Sequence, residues 1–215
     1  MPLFYHAATA TMKALLLTFS RWRVYGRENV PLKGPLIVAA NHLNLADPPL
    51  LSASIPRRIV FMIKQELYYS PRGGPFVRAF GSFPVHRGKL DRQALHQAVR
   101  VLEQGLALGM FPEGTRSPDA QLQQAYLGTA LIALRSRAPI LPVGINGTEK
   151  VKGIKAVVFG HPHINVTIGQ PFFLPINEDG VSAVQLKELT DLIMNRIAEL
   201  LPESYRGVYG DRKGW

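Results

Sequence analysis

The stretch that decides the fold is Pro35-Leu36-Ile37-Val38-Ala39-Ala40-Asn41-His42-Leu43-Asn44-Leu45-Ala46-Asp47, followed by Pro48 and Pro49. Its first half is an apolar, partly β-branched run of the length of a buried strand. Leu50-Leu51-Ser52-Ala53-Ser54-Ile55 then reads as a short helix. A histidine and an aspartate five residues apart therefore stand where a strand ends and a helix begins. Open α/β sheets place their chemistry at that position.

An unperturbed imidazole titrates at about 6.5, so a histidine at this position can take and return a proton near neutral pH. A carboxylate on its far nitrogen fixes the tautomer and stabilises the imidazolium, which is the role expected of Asp47 beside His42. Spacing alone leaves a structural alternative. Asp47-Pro48 also fits a helix N-cap followed by proline in the first turn, and His42 also fits a histidine satisfied at a strand end.

The chain has 215 residues, 47% of them hydrophobic, enough for one domain with a sizeable core. It contains no cysteine, which removes disulfides, thiolate metal sites and a cysteine nucleophile. The net charge of +10 is concentrated in the first hundred residues: +4 over 1–34, −1 over 35–56 and +7 over 57–100, with the remainder balanced. Such asymmetry implies an anionic partner such as a lipid surface, a phosphorylated substrate, coenzyme A or an acidic carrier protein. Nucleic acid would also answer to positive charge, but no nucleic-acid-binding motif accompanies it.

Residues 3–19 carry Phe4, Ala8, Met12, Leu15, Leu16 and Phe19 at helical spacing. The run is shorter than the roughly 20 apolar residues of a bilayer span and is interrupted by Lys13. Arg21, Trp22, Arg23, Tyr25 and Arg27 follow, residue types suited to a lipid–water interface. A helix lying on the membrane and a helix packed on the domain both fit. Further along, strands are expected at 59–63, 81–88 with Arg87 at its end, 106–111, 139–145, 156–159 and 164–168. Helices are expected from Gln65, near 76–80, from Asp91 to Glu103, over 128–137 and from Ser182 to Leu201. Strand alternating with helix predicts a mixed, mostly parallel central sheet flanked by helices, in one α/β domain.

Four segments, taken in order, resemble the blocks of the PlsC-type glycerolipid acyltransferases. His42-x4-Asp47 matches the first, and Gly81-Ser82-Phe83-Pro84-Val85-His86-Arg87 resembles the second. Phe111-Pro112-Glu113-Gly114-Thr115-Arg116-Ser117 is a near-verbatim third block, and Ala138-Pro139-Ile140-Leu141-Pro142-Val143-Gly144 is similar to the fourth. The resemblance covers about residues 20–170 and implies a glycerol-3-phosphate acyltransferase-like fold; the acyltransferase domain is expected over 28–215, and the N-terminal spacing and residue types predict an amphipathic, membrane-associated helix over 1–27 before it. The resemblance also implies acyl transfer from acyl-CoA or acyl carrier protein to a lysophospholipid, foremost 1-acyl-sn-glycerol 3-phosphate. His42 and Asp47 would be catalytic. Arg87 and Arg116 would hold phosphate, Glu113, Gly114 and Thr115 the acceptor, and Pro142 the acyl donor. No metal or redox cofactor is implied, and the expected location is peripheral, on the cytoplasmic side of the cell membrane, against anionic lipids.

One departure from the family bears on the acceptor. An aromatic-lysine-lysine-glycine run is usual after the third block, whereas this chain has Ala125-Tyr126-Leu127-Gly128. A different lysolipid acceptor is the nearest alternative. A lipase or thioesterase is disfavoured because no Gly-x-Ser-x-Gly elbow occurs. A metal site built on His161-Pro162-His163 lacks further ligands in sequence. A non-catalytic peripheral lipid-binding protein would account for the charge but not for the His-Asp turn.

Overall fold

β2 (Leu36–Ala40) is buried at every residue, as its unbroken apolar run demands when both faces of a sheet are covered. In the computed structural model, which describes residues 2–86, 91–151, 153, 159–175 and 181–210, this strand sits at the centre of a seven-stranded sheet. The other strands are β1 (Arg21–Tyr25), β3 (Ile59–Lys64), β4 (Phe83–Val85), β5 (Ala107–Met110), β6 (Ile140–Asn146) and β7 (His163–Ile168). They lie in the order β1-β7-β6-β2-β5-β3-β4. The five strands from β6 to β4 run parallel. β7 is antiparallel to β6, and β1 pairs parallel with β7. The expected α/β fold with a mixed, mostly parallel sheet is the one observed.

Helices cover both faces. α1 (Pro2–Phe19) and α2 (Asp47–Ser54) lie on one, against Leu36, Val38, Ala40 and Phe61. α3 (Gln65–Tyr68) and α4 (Gly74–Ala79) are short pieces between β3 and β4. α5 (Arg92–Glu103), α6 (Gly128–Ser136) and α7 (Ala183–Ala198) cover the opposite face, against Ile37, Ala39 and Leu108. Local signals set their starts. The Ala94 N–H donates to the Asp91 side chain at 3.0 Å, and Ser182 and Gln185 exchange the reciprocal bonds of a capping box ahead of α7. The helices that follow the adjacent strands β2 and β5 thus go to opposite faces, which opens a crevice at the carboxyl ends of those two strands.

Three stretches differ from the sequence reading. The N-terminal helix ends at Phe19, and Arg21–Tyr25 is an edge strand rather than a continuation of it to residue 27. Alternation explains this: Trp22 and Val24 pack against the core while Arg21, Arg23 and Tyr25 face out. The inward face of α1 is also rotated from the expected one. Tyr5, Met12 and Leu16 turn inward, and the Tyr5 hydroxyl accepts from the Ile59 N–H at 3.1 Å, while Leu3, Phe4, Leu15 and Leu17 remain exposed. A buried phenol with a hydrogen-bond partner won over a purely apolar stripe. The strand expected at 156–159 falls, except for Phe159, outside the described residues, and Phe159 is helical. Among the described residues no helix is long and apolar enough to cross a membrane.

Gly109, in β5, makes room for an aromatic stack. A Cβ there would collide with the Phe61 ring and with Ile59 Cγ2. Phe61 lies parallel to Phe111, with centroids 6.1 Å apart, at the carboxyl end of the same strand. Gly109→Ala is expected to lower stability by about 1–3 kcal/mol through overpacking, measured by denaturant titration.

Candidate active site

The turn after β2 doubles back because one carboxylate oxygen gathers it. Asp47 Oδ2 accepts from His42 Nδ1 at 2.8 Å and from the N–H groups of Leu43 and Asn44, each at 2.7 Å. Asp47 is completely buried, and Ala46 rather than Asp47 is the N-cap of α2, with no side-chain capping bond. The carboxylate is therefore turned into the loop and not onto its own helix, as the capping alternative would require. With the proton on Nδ1, His42 Nε2 carries the free lone pair and makes no hydrogen bond among the described residues. The ring stacks on Phe111, centroids 4.1 Å apart and planes at 21°. Asn41 locks the preceding residue: its side chain accepts from the Ile145 N–H at 2.7 Å and donates to the Ile145 carbonyl at 2.8 Å.

Glu113, after β5, braces the same turn from the other side of the crevice. Its carboxylate accepts from the His42 N–H at 3.0 Å and from the Gln123 N–H at 2.9 Å, and the residue is 2% exposed. The Ser117 N–H in turn donates to the His42 carbonyl at 2.8 Å. Burial pushes the Glu113 carboxyl up to about 7, helped by the nearby Asp47 charge and opposed by the two backbone donors. Gly114 has φ +66°, and a side chain there would run into the Tyr126 ring, so glycine serves both the turn and the close approach.

Two cavities with lining residues in common lie along the loop after β5, and neither is lined by His42 or Asp47 themselves. One, of about 370 Å³, is mainly apolar, with Met62, Leu95, Met110, Phe111, Leu131 and Ile132 among its walls. Phe111 thus presents one side to the His42 ring and also lines this space. The other, of about 490 Å³, is polar and lined by Lys64, Gln65, Glu66, His86, Thr115 and Tyr126 together with Gly114. Gly114, Tyr126 and His86 border both. His86 forms a second histidine–carboxylate pair, its Nδ1 lying 3.0 Å from Asp91 Oδ2. Hydrogen bonds from the Ala94 and His86 backbone N–H groups, ahead of the His86 side chain, hold Asp91 down near 2.

Comparison with known proteins adds to this geometry. The family model described as Acyltransferase matches residues 21–146, more than half of the chain. The chain belongs to the acyltransferase family. Similar proteins include the 1-acyl-sn-glycerol-3-phosphate acyltransferase of Bacillus subtilis, 28% identical over 91% of this chain and 96% of that protein. The Saccharomyces cerevisiae protein of the same name is 28% identical over 84% of this chain and 60% of its own. The crystal structure of the 1-acyl-sn-glycerophosphate acyltransferase PlsC from Thermotoga maritima is similar at a TM-score of 0.68 and 27% identity, covering 91% of this chain and 78% of that one.

Within this acyltransferase, the residues singled out in sequence occupy different places. His42 and Asp47 are in contact, and Gly114 and Thr115 line the polar cavity. Glu113 lies beneath the turn with each oxygen accepting from one backbone N–H, that of His42 among them, and lines neither cavity. Arg116 is exposed and without a partner among the described residues. Pro142 is buried inside β6, its carbonyl accepting from the Gly169 N–H at 2.9 Å, and lines neither cavity. Arg87 falls outside the described residues. His161-Pro162-His163 leads into β7, where the Arg21 guanidinium lies 3.0 Å from His163 Nε2. Lys64 and His86 were not singled out. For His86 a signal existed, since His86-x4-Asp91 repeats the spacing of His42-x4-Asp47.

The Glu113 carboxyl holds its proton more tightly folded than unfolded. Its contribution to stability is complete below the unfolded value near 4.5 and is lost as pH rises through about 7. The shift corresponds to roughly 3 kcal/mol. Denaturant titrations between pH 4.5 and 7 are expected to show Glu113→Gln lacking a decline of that size present in the wild-type protein. Identical pH profiles would contradict the assignment.

Proposed function

We propose that this acyltransferase moves a fatty acyl group from a thioester, acyl-CoA or acyl carrier protein, to the free hydroxyl of 1-acyl-sn-glycerol 3-phosphate, forming phosphatidate. The observation that carries the reading is the 2.8 Å contact between His42 and Asp47 at the head of the crevice, with an apolar and a polar cavity alongside. The names of the relatives from Bacillus subtilis and Saccharomyces cerevisiae agree with that acceptor.

In this mechanism His42 Nε2 takes the proton of the acceptor hydroxyl as its oxygen attacks the thioester carbonyl carbon. Asp47 stabilises the imidazolium that forms. The tetrahedral intermediate collapses with cleavage of the carbon–sulfur bond, and the imidazolium returns the proton to the departing thiolate. No acyl-enzyme is needed, because the acceptor hydroxyl is the nucleophile. The acyl chain occupies the apolar cavity, and the acceptor's phosphate lies in the polar one. There Lys64, paired with Glu66 at 3.4 Å, and the His86 ring offer N–H donors in place of the lysine absent beside Tyr126, and Arg87 and Arg116 keep the phosphate-holding role that the resemblance implies. Glu113 acts through the backbone of His42 as a positioning residue.

The protein works at a membrane surface. Leu3 and Leu17 are exposed on the outer side of α1 and Leu15 on its other flank, and the surplus of positive charge lies in the first hundred residues. The side facing the cytoplasm is the one that holds acyl-CoA and acyl carrier protein.

His42→Ala is expected to lower acceptor-dependent thiol release from acyl-CoA by about 10²–10⁴-fold while leaving the melting curve unchanged. Retained turnover would exclude the mechanism, and thiol release without acceptor would make the protein a thioesterase. A panel of lysolipids run in the same assay tests the acceptor, with lysophosphatidate expected to be fastest. Leu15→Glu combined with Leu17→Glu is expected to reduce co-sedimentation with phosphatidylglycerol vesicles; unchanged sedimentation would remove α1 from the membrane contact.

A further inference from the structure

Two adjacent arginines ahead of β3 have opposite surroundings. Arg57 donates to the carbonyls of Pro31 and Gly34, each at 2.6 Å, and to that of Gly105 at 3.0 Å. Arg58 makes no hydrogen bond or ion pair among the described residues, although its Nε is sealed from solvent. Its guanidinium lies over the Tyr5 ring, 5.9 Å from the centroid, and against Gly81, where a Cβ would come within 2.5 Å of Nη2. A charged donor buried without an acceptor is costly, and it calls for a partner.

Arg58 faces a groove of about 820 Å³ between the amino ends of β3 and β5 and the outer side of α5. The helix contributes Gln93, His96, Gln97, Arg100 and Gln104, residues three or four apart and hence on one side. The lining holds no aspartate or glutamate. Neither His96 nor Arg100 has a partner among the described residues. The groove thus gathers two guanidiniums, an imidazole and three carboxamides around open space, a set of donors matched to a phosphate group. It lies at the opposite end of the parallel strands from His42, so it is separate from the acyl-transfer crevice.

We propose that this groove binds a phosphate-bearing ligand, at a site distinct from the acceptor's own. The phosphate comes either from a membrane lipid headgroup or from a soluble phosphate compound. The lipid source has local support: Phe4 packs edge-on against Phe76 and Phe80 one residue from Tyr5, and Leu3, Phe4 and Phe76 are exposed there.

The test uses the full chain and four single variants, Arg58→Gln, Arg100→Gln, Lys64→Gln and, as a charge-matched control outside the groove, Arg72→Gln. Inorganic phosphate is titrated calorimetrically, and flotation is measured with phosphatidylcholine vesicles with and without phosphatidate. Arg58→Gln and Arg100→Gln are expected to weaken phosphate binding or phosphatidate-dependent flotation about tenfold, while Lys64→Gln leaves groove binding in place and Arg72→Gln behaves as wild type. Loss of both signals identifies a lipid headgroup, as does loss of flotation alone. Loss of phosphate binding alone identifies a soluble ligand. Arg100 is exposed on α5, so its variant decides the matter even if Arg58→Gln fails to fold. Arg58 and Arg100 variants indistinguishable from Arg72→Gln in both measurements overturn the proposal.

Discussion

Three N–H groups converging on a single oxygen of Asp47 are the constraint from which the site follows. Two of those donors are backbone and one is the imidazole, so the interaction that folds the turn also orients the ring. A carboxylate buried at this depth is tolerated because donors held in place converge on Oδ2, while Oδ1 is buried without a partner among the described residues. Asn41 ties the start of the turn to β6, and Glu113 and Ser117 tie it to the loop after β5. The ring is consequently fixed from both neighbouring strands.

The sheet supplies the rest of the positioning. β2 and β5 are adjacent and parallel, and their following helices leave to opposite sides, so the loops bearing His42 and Glu113 face each other across the gap. The stack from Phe61 through Phe111 to His42 runs along that gap, and it depends on the missing side chain at Gly109. A small residue two positions before the loop thereby sets how an aromatic ring seats the imidazole.

Much of this was legible in the chain. The apolar run at 36–40 and the Asp91 and Ser182 starts of helices carry local signals that tertiary packing did not overrule. The His42–Asp47 contact was one of two readings that the spacing at a strand-to-helix turn allowed, the other being Asp47 as a helix N-cap. Arg21–Tyr25 was hidden because a five-residue edge strand with two outward arginines has the composition of a membrane interface. The place of Glu113 beneath the turn was not legible, because a motif shows that a carboxylate is present, not which way it points. Here backbone donors on both sides claimed it. Lys64 and His86 were missed as members of one cavity because their proximity to Thr115 is created by pairing of β3, β4 and β5, which no local window records.

The two margins of the sheet carry a last consequence. On one side β1 presents Arg21 and Arg23 outward, and on the other the three-residue β4 contains Pro84, which has no N–H to offer. Like charges repel a second copy along the first margin, and a short ladder with a missing donor gives a poor template along the second. At high local concentration these margins keep the sheet from extending into aggregates.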